Sequence, residues 1–302
     1  CAAMLAGDEY PSTAIGINLP NADWIRARYG SKSVTISNIT QSYNRAAQGN
    51  GFLEEFVIDK PTLATIRRWE SVTDELHTDL HECLGHGSGQ LLPGTDPNAL
   101  KAYGSTIEEA RADLFGLYYM ADHKLIELGL LDSEHAYEAQ YYTYLMNGLM
   151  TQLVRIRPGF KIEEAHMLNR SLIAHWAVDM NPDALQLIET GGKHYVKIND
   201  YKALRVVFGR QLAEIQRIKS EGDYEAARNL IEHFAVKVDP QLHQEILQRY
   251  ARLNIAPYKG FINPKLTLVE KDGKTVDVKV DYSEGYDEQM LRYSRDYSTL
   301  PI

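Results

Sequence analysis

The five-residue separation between His81 and His86 constrains the fold of this 302-residue chain more than any other feature. The segment His81-Glu82-Cys83-Leu84-Gly85-His86 is built like the zinc motif His-Glu-x-x-His, but with one extra residue between the histidines. On an α-helix, at about 100° per residue, side chains four positions apart are about 40° apart and those five positions apart about 140°. A regular helix therefore cannot direct both imidazoles at one ion. We expect a local widening such as a π-bulge, with Gly85 at the point where the extra residue is absorbed.

Amphipathic helices are predicted for most of the chain after residue 60. Leu76, Leu80 and Leu84 recur every four residues and predict one apolar stripe on the helix that contains the histidine motif. Gly87 and Gly89 follow the motif and should end that helix.

A second helix is predicted to begin at Thr106, which lies three residues before Glu109, the spacing of a capping box. Further amphipathic segments are residues 134–154, 162–178, 201–219, 223–235 and 240–253. We expect the tyrosines of the first of these segments to pack in the core: Tyr137, Tyr141, Tyr142 and Tyr144.

Strand character appears near the end of the chain. Leu266–Val269 and Val276–Val280 alternate with period two, and Asp272-Gly273 between them is a hairpin signal. The sequence therefore predicts a mainly α fold with a small β element, a C-terminal hairpin.

Charge and cysteine content narrow the classes of function. The formal net charge is −9 and no segment is rich in lysine or arginine, so we expect no nucleic-acid partner. No apolar run approaches the roughly 20 residues of a membrane-spanning helix. The two cysteines, Cys1 and Cys83, cannot form a disulfide framework, which favours a reducing compartment such as the cytoplasm. Because the chain begins with Cys1, we expect a piece of a longer protein, with an exported lipoprotein as the alternative.

A third metal ligand is predicted on the helix that follows Thr106. Glu109 and Asp113 are four residues apart, hence on one helix face. Two histidines and one carboxylate leave a fourth coordination position open, which is typical of catalytic zinc. We predict that Glu109 binds zinc and that Asp113 hydrogen-bonds the second nitrogen of an imidazole, with Glu108 as another candidate for that supporting role.

Other interpretations of these residues stay open. His77 and His81 have the regular four-residue spacing and are an alternative ligand pair, although no glutamate follows His77. Cys83 is another possible ligand, but within a helix we expect it to pack as a small hydrophobic residue. Without a metal, the histidines would be ordinary helix-end residues and the acids a solvated helix face.

The two motifs together, His81–His86 and Glu108-Glu109-Ala110-Arg111-Ala112-Asp113, resemble the signature of the dipeptidyl peptidase III family of zinc metallopeptidases. The six-residue first motif with its inserted glycine is nearly specific to that family. Further similarity extends over most of the chain, in His86-Gly87-Ser88-Gly89, Gly16-Ile17-Asn18-Leu19-Pro20-Asn21, Glu164-Ala165-His166-Met167 with Arg170, and Gly222-Asp223-Tyr224-Glu225-Ala226.

This resemblance implies roles for individual residues in catalysis. His81, His86 and Glu109 would hold one zinc ion, and Glu82 would be the general base and acid. His166 would help to stabilise the reacting carbonyl group.

The resemblance also implies substrate contacts. Substrates in the family are short oligopeptides, cleaved two residues from a free N-terminus. Asn18 and Asn21 would bind the N-terminal end and the backbone of the peptide. Arg170 lies one helical turn beyond His166 on the same face, and Lys259 would face the substrate.

Family members are two-lobed and considerably longer than this chain. The resemblance assigns residues 1–302 to the helical zinc-binding catalytic lobe and implies that an N-terminal half, which contains a β-barrel, is absent. Asp113 replaces the glutamate that commonly ends the second motif, which shortens the side chain and keeps the charge.

We expect a monomeric zinc exopeptidase that releases dipeptides. One alternative is an isolated lobe that binds zinc and peptides but has little activity without its N-terminal half. Another zinc aminopeptidase or endopeptidase and a non-enzymatic helical interaction domain are the remaining alternatives.

Overall fold

The computed structural model describes residues 16–19, 23–255 and 264–297. The chain divides into two compact units, and the larger one spans Gly16–Ile255. The described part of the smaller unit is residues 264–297. Cys1 and two of the predicted substrate contacts, Asn21 and Lys259, lie outside the described residues.

Helices dominate the larger unit, as the sequence predicts. Its α-helices are α1 (Asp23–Tyr29), α2 (Ser37–Ala47), α3 (Phe52–Phe56), α4 (Lys60–Leu80), α5 (Gly104–Met120), α6 (Lys124–Glu127), α7 (Tyr137–Leu149), α8 (Ala165–Met180), α9 (Tyr201–Glu221), α10 (Tyr224–Phe234) and α11 (Pro240–Arg252). The larger unit also contains a π-helical turn (His81–His86) and two 3₁₀ turns, at Lys101–Tyr103 and Thr151–Arg155. Its strands are β1 (Gly16–Leu19), β2 (Lys32–Thr35), β3 (Leu185–Thr190) and β4 (Lys193–Ile198). The predicted mainly α class is confirmed.

Helix α5 lies at the centre of the larger unit, in contact with α4, the π-helical turn, α8 and α9. Most of its side chains are buried, and Ile107, Ala110 and Leu114 are fully buried. Thr106 is also buried, because the helix begins two residues earlier at Gly104. The predicted capping box between Thr106 and Glu109 is therefore wrong, since core packing rather than capping determines where Thr106 lies.

The predicted widening of the helix at the histidine motif is confirmed. Residues His81–His86 form a π-helical turn that continues directly from α4. The extra residue changes which side chains face inward: Leu76 is buried, whereas Leu84 is 40% exposed. The predicted apolar stripe therefore ends before the turn. Cys83 is exposed as well, so the prediction that it packs as a small hydrophobic residue is wrong.

Helices in the second half of the chain begin at acidic caps. The side chains of Asp200, Asp223 and Asp239 accept hydrogen bonds from backbone N–H groups of the first turns of α9, α10 and α11. Gly222 ends α9 in the left-handed region, with φ of 69°. These breaks agree with the predicted helix boundaries to within a few residues.

The predicted segment 134–154 is divided between α7 and the 3₁₀ turn Thr151–Arg155. The tyrosines of α7 lie in the core, as predicted: Tyr141 and Tyr142 are fully buried, and Tyr137 and Tyr144 nearly so. None of the described helices is both long and apolar enough to cross a membrane.

Three antiparallel strand pairs complete the described structure: β1–β2, β3–β4 and β5–β6. The smaller unit contains β5 (Lys265–Lys271), β6 (Lys274–Asp281) and α12 (Tyr286–Tyr297). The predicted C-terminal hairpin is confirmed, with positive φ at Asp272 and Gly273, as a two-residue hairpin turn requires. The β3–β4 hairpin was not predicted, although its Gly191-Gly192 turn is a signal of the same kind.

Candidate metal centre

Three nitrogen and oxygen atoms converge where the π-helical turn meets α5. Potential ligand atoms of His81, His86 and Glu109 all lie within 4.8 Å of one another. Oε2 of Glu109 lies 3.4 Å from Nε2 of His81 and 3.6 Å from Nε2 of His86. Two atoms bound at about 2.0–2.1 Å by a tetrahedral ion are roughly 3.3–3.4 Å apart. Both distances from Glu109 therefore suit ligands of one small tetrahedral cation.

Close approach of the two helical segments makes this spacing possible. A Cβ atom on Gly85 would lie 2.6 Å from Cα of Ala112 on α5. Only glycine allows the π-helical turn to approach the α5 backbone this closely. Gly85 therefore serves the close contact between helices, a function that its position in the sequence motif does not reveal.

The widened turn leaves backbone carbonyl groups that distant side chains satisfy. Ser33 donates a hydrogen bond to the carbonyl oxygen of Glu82 (3.0 Å), and Arg26 to that of His86 (3.3 Å). Arg111, which is fully buried, donates through Nη2 to the carbonyl oxygen of Gly85 (2.7 Å). These bonds hold the π-helical turn from two sides, since Ser33 lies on β2 and Arg111 on α5.

Asp113 is fully occupied by hydrogen-bond donors. Its Oδ1 accepts from Nδ1 of His81 (2.7 Å) and Nε2 of His77 (3.1 Å). Its Oδ2 accepts from the hydroxyl of Tyr144 (2.8 Å) and Nδ2 of Asn169 (2.9 Å). A carboxylate has about four lone-pair sites, so every acceptor position of this buried group is used.

Glu108 occupies the equivalent position beside the other histidine. Its Oε1 accepts a hydrogen bond from Nδ1 of His86 (2.9 Å) and from Nη2 of Arg111 (2.7 Å). Its Oε2 accepts from Nε of Arg111 (3.0 Å) and from the ammonium group of Lys219 on α9. Two cations therefore fix the carboxylate that contacts His86.

The carboxylates determine which nitrogen of each imidazole is available. Because Asp113 and Glu108 accept hydrogen bonds from Nδ1, the neutral forms of His81 and His86 carry their lone pair on Nε2. Both Nε2 atoms are the ones that lie near Glu109. This is the arrangement in which histidine binds a metal through one nitrogen while an outer carboxylate orients the other.

Electrostatics at the metal-free centre favour protonated histidines. Burial alone lowers the pKa of His81, but the hydrogen bond to Asp113 and the negative charges of Asp113 and Glu109 outweigh it and raise the pKa to about 10. The pKa of His86 is also raised, because the hydrogen bond to Glu108 and the charge of Glu109 outweigh its burial. Burial raises the pKa of Glu109, yet the neighbouring histidines lower it to about 2.

These residues fit a divalent zinc ion. Oε2 of Glu109 is buried and accepts no well-formed hydrogen bond from the described part of the chain. A buried carboxylate oxygen without a donor is costly unless a cation lies next to it. Two imidazoles and one carboxylate are a donor set that zinc prefers, and they leave a further position open.

Glu82 lies within the π-helical turn and is buried at 8% exposure. Its pKa is raised, chiefly by burial, although the charges of His81 and His86 partly offset this. Gly16 on β1 leaves room for the side chain, since a Cβ there would be 2.5 Å from Oε1 of Glu82. A raised pKa makes a carboxylate a stronger proton acceptor, as a general base requires.

His166, at the start of α8, approaches the same centre from another side. Its Nε2 lies 3.4 Å from Oε2 of Glu109, and its Nδ1 contacts Oε1 of Glu164 at 2.6 Å. The side chain is 52% exposed. Among the described residues, two groups have ligand atoms that all lie within 4.8 Å of one another, and neither group includes His166. It therefore lies beside the ligand triangle rather than in it.

The remaining predicted residues lie around the centre or outside the described chain. Arg170 is half-buried, and its charge partly offsets the burial that raises the pKa of Asp74 on α4. The structure therefore places Arg170 next to α4. Asn18 pairs through its backbone with Ser33 across β1 and β2, and its side chain is not described.

Sequence reasoning missed several residues that support the centre. Tyr144, Asn169 and Lys219 contact its carboxylates from α7, α8 and α9. They are separated from the motifs by up to 111 residues, and no spacing pattern links them. Arg111 lies inside the second motif, and that position was the available signal.

Comparison with known proteins identifies the family. A family model described as peptidase family M49 matches residues 9–101 and 93–290. Over 98% of its length, the chain is 25% identical to dipeptidyl peptidase 3 of Homo sapiens, of which it covers 43%. It is 27% identical to dipeptidyl peptidase 3 of Dictyostelium discoideum over 43% of the chain and 23% of that relative. The chain thus spans less than half the length of these curated relatives.

Solved structures agree with this result. The structure of DPP III from Caldithrix abyssi matches 78% of the chain with 26% identity and a TM-score of 0.59, and 43% of that protein is covered. The structure of dipeptidyl-peptidase III from Corallococcus sp. strain EGB shares the fold over 82% of the chain, with a TM-score of 0.63, 22% identity and 44% coverage of that protein. On the evidence of the motifs, the fold and these matches, the chain belongs to peptidase family M49.

Proposed function

We propose that residues 1–302 are the zinc-binding catalytic lobe of a two-lobed metallopeptidase that releases dipeptides from the free N-terminus of short oligopeptides. The observation that supports this most directly is the group formed by His81, His86 and Glu109, in which both histidines lie at distances from Glu109 that suit a tetrahedral zinc site. The buried carboxylate of Glu82 lies in the same turn as the two histidines. The cleavage of dipeptides is proposed from the relatives, which are named dipeptidyl peptidase 3.

His81, His86 and Glu109 would hold the ion through Nε2, Nε2 and Oε2. Zinc, when bound, supplies a Lewis acid that polarises the scissile carbonyl group and lowers the pKa of a water molecule. Glu82 accepts a proton from the attacking water and then donates it to the leaving amine. The raised pKa of Glu82, caused chiefly by burial, favours transfer of that proton to its carboxylate.

The other predicted residues act on the substrate in this proposal. His166 stabilises the oxyanion that develops on the reacting carbonyl group. Asn18 and Asn21 bind the N-terminal end of the peptide, and Arg170 and Lys259 provide further contacts. An N-terminal half that contains a β-barrel would complete the peptide-binding cleft, and the cytoplasm and a monomeric state belong to the same proposal.

The substitution Glu82→Gln tests the role of this carboxylate. We expect one zinc per chain to be retained, because Glu82 is not among the proposed ligands. Release of dipeptides from an N-terminally free dipeptidyl arylamide should fall by roughly 10²–10⁴-fold. Glu127→Gln, at an exposed position on α6, is the control and should leave turnover unchanged. Normal turnover by the Glu82 variant would refute the proposed role.

A second candidate function is an isolated lobe that binds zinc and peptide but barely hydrolyses. The coverage of only 43% of dipeptidyl peptidase 3 of Homo sapiens favours it. Comparing activity of this chain alone with activity after addition of an N-terminal half distinguishes the two. Product analysis distinguishes another zinc peptidase, since single residues or internal fragments would replace dipeptides.

A further inference from the structure

His77 is a buried histidine that the proposed reaction does not use. It lies on α4, one turn before His81, and contacts Asp113 through Nε2 at 3.1 Å. Because an ionised carboxylate can only accept a hydrogen bond, Nε2 of His77 carries the hydrogen. The neutral ring then has its lone pair on Nδ1.

The other ring nitrogen of His77 is buried without a partner. Nδ1 makes no hydrogen bond to any described residue. A Cβ on Gly116 of α5 would lie 2.7 Å from it, so this glycine makes room for the imidazole. An apolar side chain would fill the same space without the cost of a buried, unsatisfied nitrogen. The feature that explains a histidine at this position is therefore its Nε2–H group, which bonds Asp113.

The geometry excludes His77 as a ligand of the same kind as His81 and His86. His77, His81 and Asp113 form a second cluster with potential ligand atoms within 4.8 Å. However, both histidines contact the same oxygen, Oδ1 of Asp113, at 3.1 Å and 2.7 Å. These are hydrogen-bond distances. Because Oδ2 accepts from Tyr144 and Asn169, the carboxylate has no acceptor position left for an ion. The cluster is a hydrogen-bonded chain from His77 through Asp113 to His81.

We propose that His77 is a positioning residue for the metal centre. Its Nε2–H group holds Oδ1 of Asp113 against Nδ1 of His81, and this keeps Nε2 of His81 directed towards Glu109. The other donors to Asp113, Tyr144 and Asn169, both contact Oδ2. Without His77, the oxygen that orients His81 would have no second donor. This inference rests on the proposed zinc site.

Paired amide substitutions separate this hydrogen bond from mere packing. The amide nitrogen of glutamine reaches about as far from the backbone as imidazole Nε2, whereas that of asparagine reaches only as far as Nδ1. His77→Gln should therefore keep the bond to Asp113, and His77→Asn should lose it. His77→Met, which fills the space without a donor, provides the same test if the asparagine variant does not fold.

The matched control is His243, another buried histidine. Its Nε2 contacts the carbonyl oxygens of Leu153 and Ile156 at 3.1 and 3.0 Å, away from the metal centre. His243→Asn should lower the melting temperature, as His77→Asn does, but leave zinc retention unchanged. The comparison removes the effect of general destabilisation.

The measurement is the rate at which the zinc-loaded chain loses Zn²⁺ to an excess of chelator, followed by metal analysis of the desalted protein. Loss of an outer hydrogen bond to a ligand typically weakens metal binding by roughly 10–100-fold. His77 acts one hydrogen bond further from the metal, through Asp113, so we expect loss from His77→Asn to be faster by roughly tenfold, the lower end of that range, and loss from His77→Gln to stay within about threefold of the unsubstituted chain. Equal rates for all three proteins would overturn the role of His77 and leave the zinc site intact. Equally fast loss from both variants would also overturn it, and failure of the unsubstituted chain to bind zinc would overturn the site as well.

Discussion

Replacing Gly85 by alanine should separate the two helical segments that form the metal centre. The new Cβ would lie 2.6 Å from Cα and 2.7 Å from Cβ of Ala112. Carbon atoms in contact need about 3.5–4.0 Å, so the π-helical turn and α5 must move apart by roughly 1 Å. Rotation of a side chain cannot relieve the contact with Cα.

This displacement is larger than the metal centre tolerates. Ligand distances in metal sites vary by only about 0.2 Å, whereas His81 and His86 would move by roughly 1 Å relative to Glu109. Overpacking of this kind also costs about 1–3 kcal/mol of folding free energy. We therefore expect Gly85→Ala to bind zinc at least tenfold more weakly and to melt at a lower temperature.

Zinc affinity measured by chelator competition, together with thermal unfolding, tests this prediction. Gly104→Ala is the control, because a Cβ there would lie 3.6 Å from Cβ of Leu100, an ordinary contact. It should leave zinc binding unchanged and stabilise α5 by up to about 1 kcal/mol. Adding Ala112→Gly to Gly85→Ala should restore binding only in part, since the contact with Cα of residue 112 stays. Unchanged zinc affinity in Gly85→Ala would refute the reasoning.

Two further predictions concern charge. Arg249, which is 2% exposed, pairs with Glu55 and Glu245. Arg249→Met should lower the free energy of unfolding by about 1–3 kcal/mol, because charge-assisted hydrogen bonds are lost while Lys193 and His194 still contact the two carboxylates. Arg217→Met, at a position where the side chain is 37% exposed, should cost about 1 kcal/mol or less in the same urea titration, and equal effects of the two changes would contradict this. The pKa of His81 is raised to about 10 in the metal-free protein, so His81 is protonated at pH 7 and zinc must displace that proton. Calorimetric titration with zinc in buffers of different ionisation enthalpy should detect the proton release. A binding enthalpy that does not depend on the buffer would exclude it.

The metal centre was accessible to sequence reasoning because its ligands lie close together along the chain. The spacing of His81 and His86 predicted the π-helical turn, and the four-residue spacing of Glu109 and Asp113 predicted one helix face. The hairpin at Asp272-Gly273 was predictable for the same reason. Backbone geometry over a few residues determines all of these features.

Other expectations failed because tertiary packing overrode a local pattern. Thr106 and Glu109 have the spacing of a capping box, but Thr106 is buried inside the first turn of α5. Leu84 and Cys83 belong to an apolar helix segment in the sequence, and the extra residue of the π-helical turn leaves both exposed. The burial of a side chain depends on its neighbours in space, which periodicity alone does not specify.

The sequence by itself determined the helical class, the helix breaks and the identity of the candidate ligands, because each depends on residues within a few positions of one another. Only the tertiary structure decided how those ligands are held. Ser33, Asn169 and Lys219 contact the centre from three different elements. Gly85 permits the close contact between the π-helical turn and α5 on which the distances between the ligands depend. Such contacts join residues that are distant along the chain, and their distances are fixed only when the helices pack around α5.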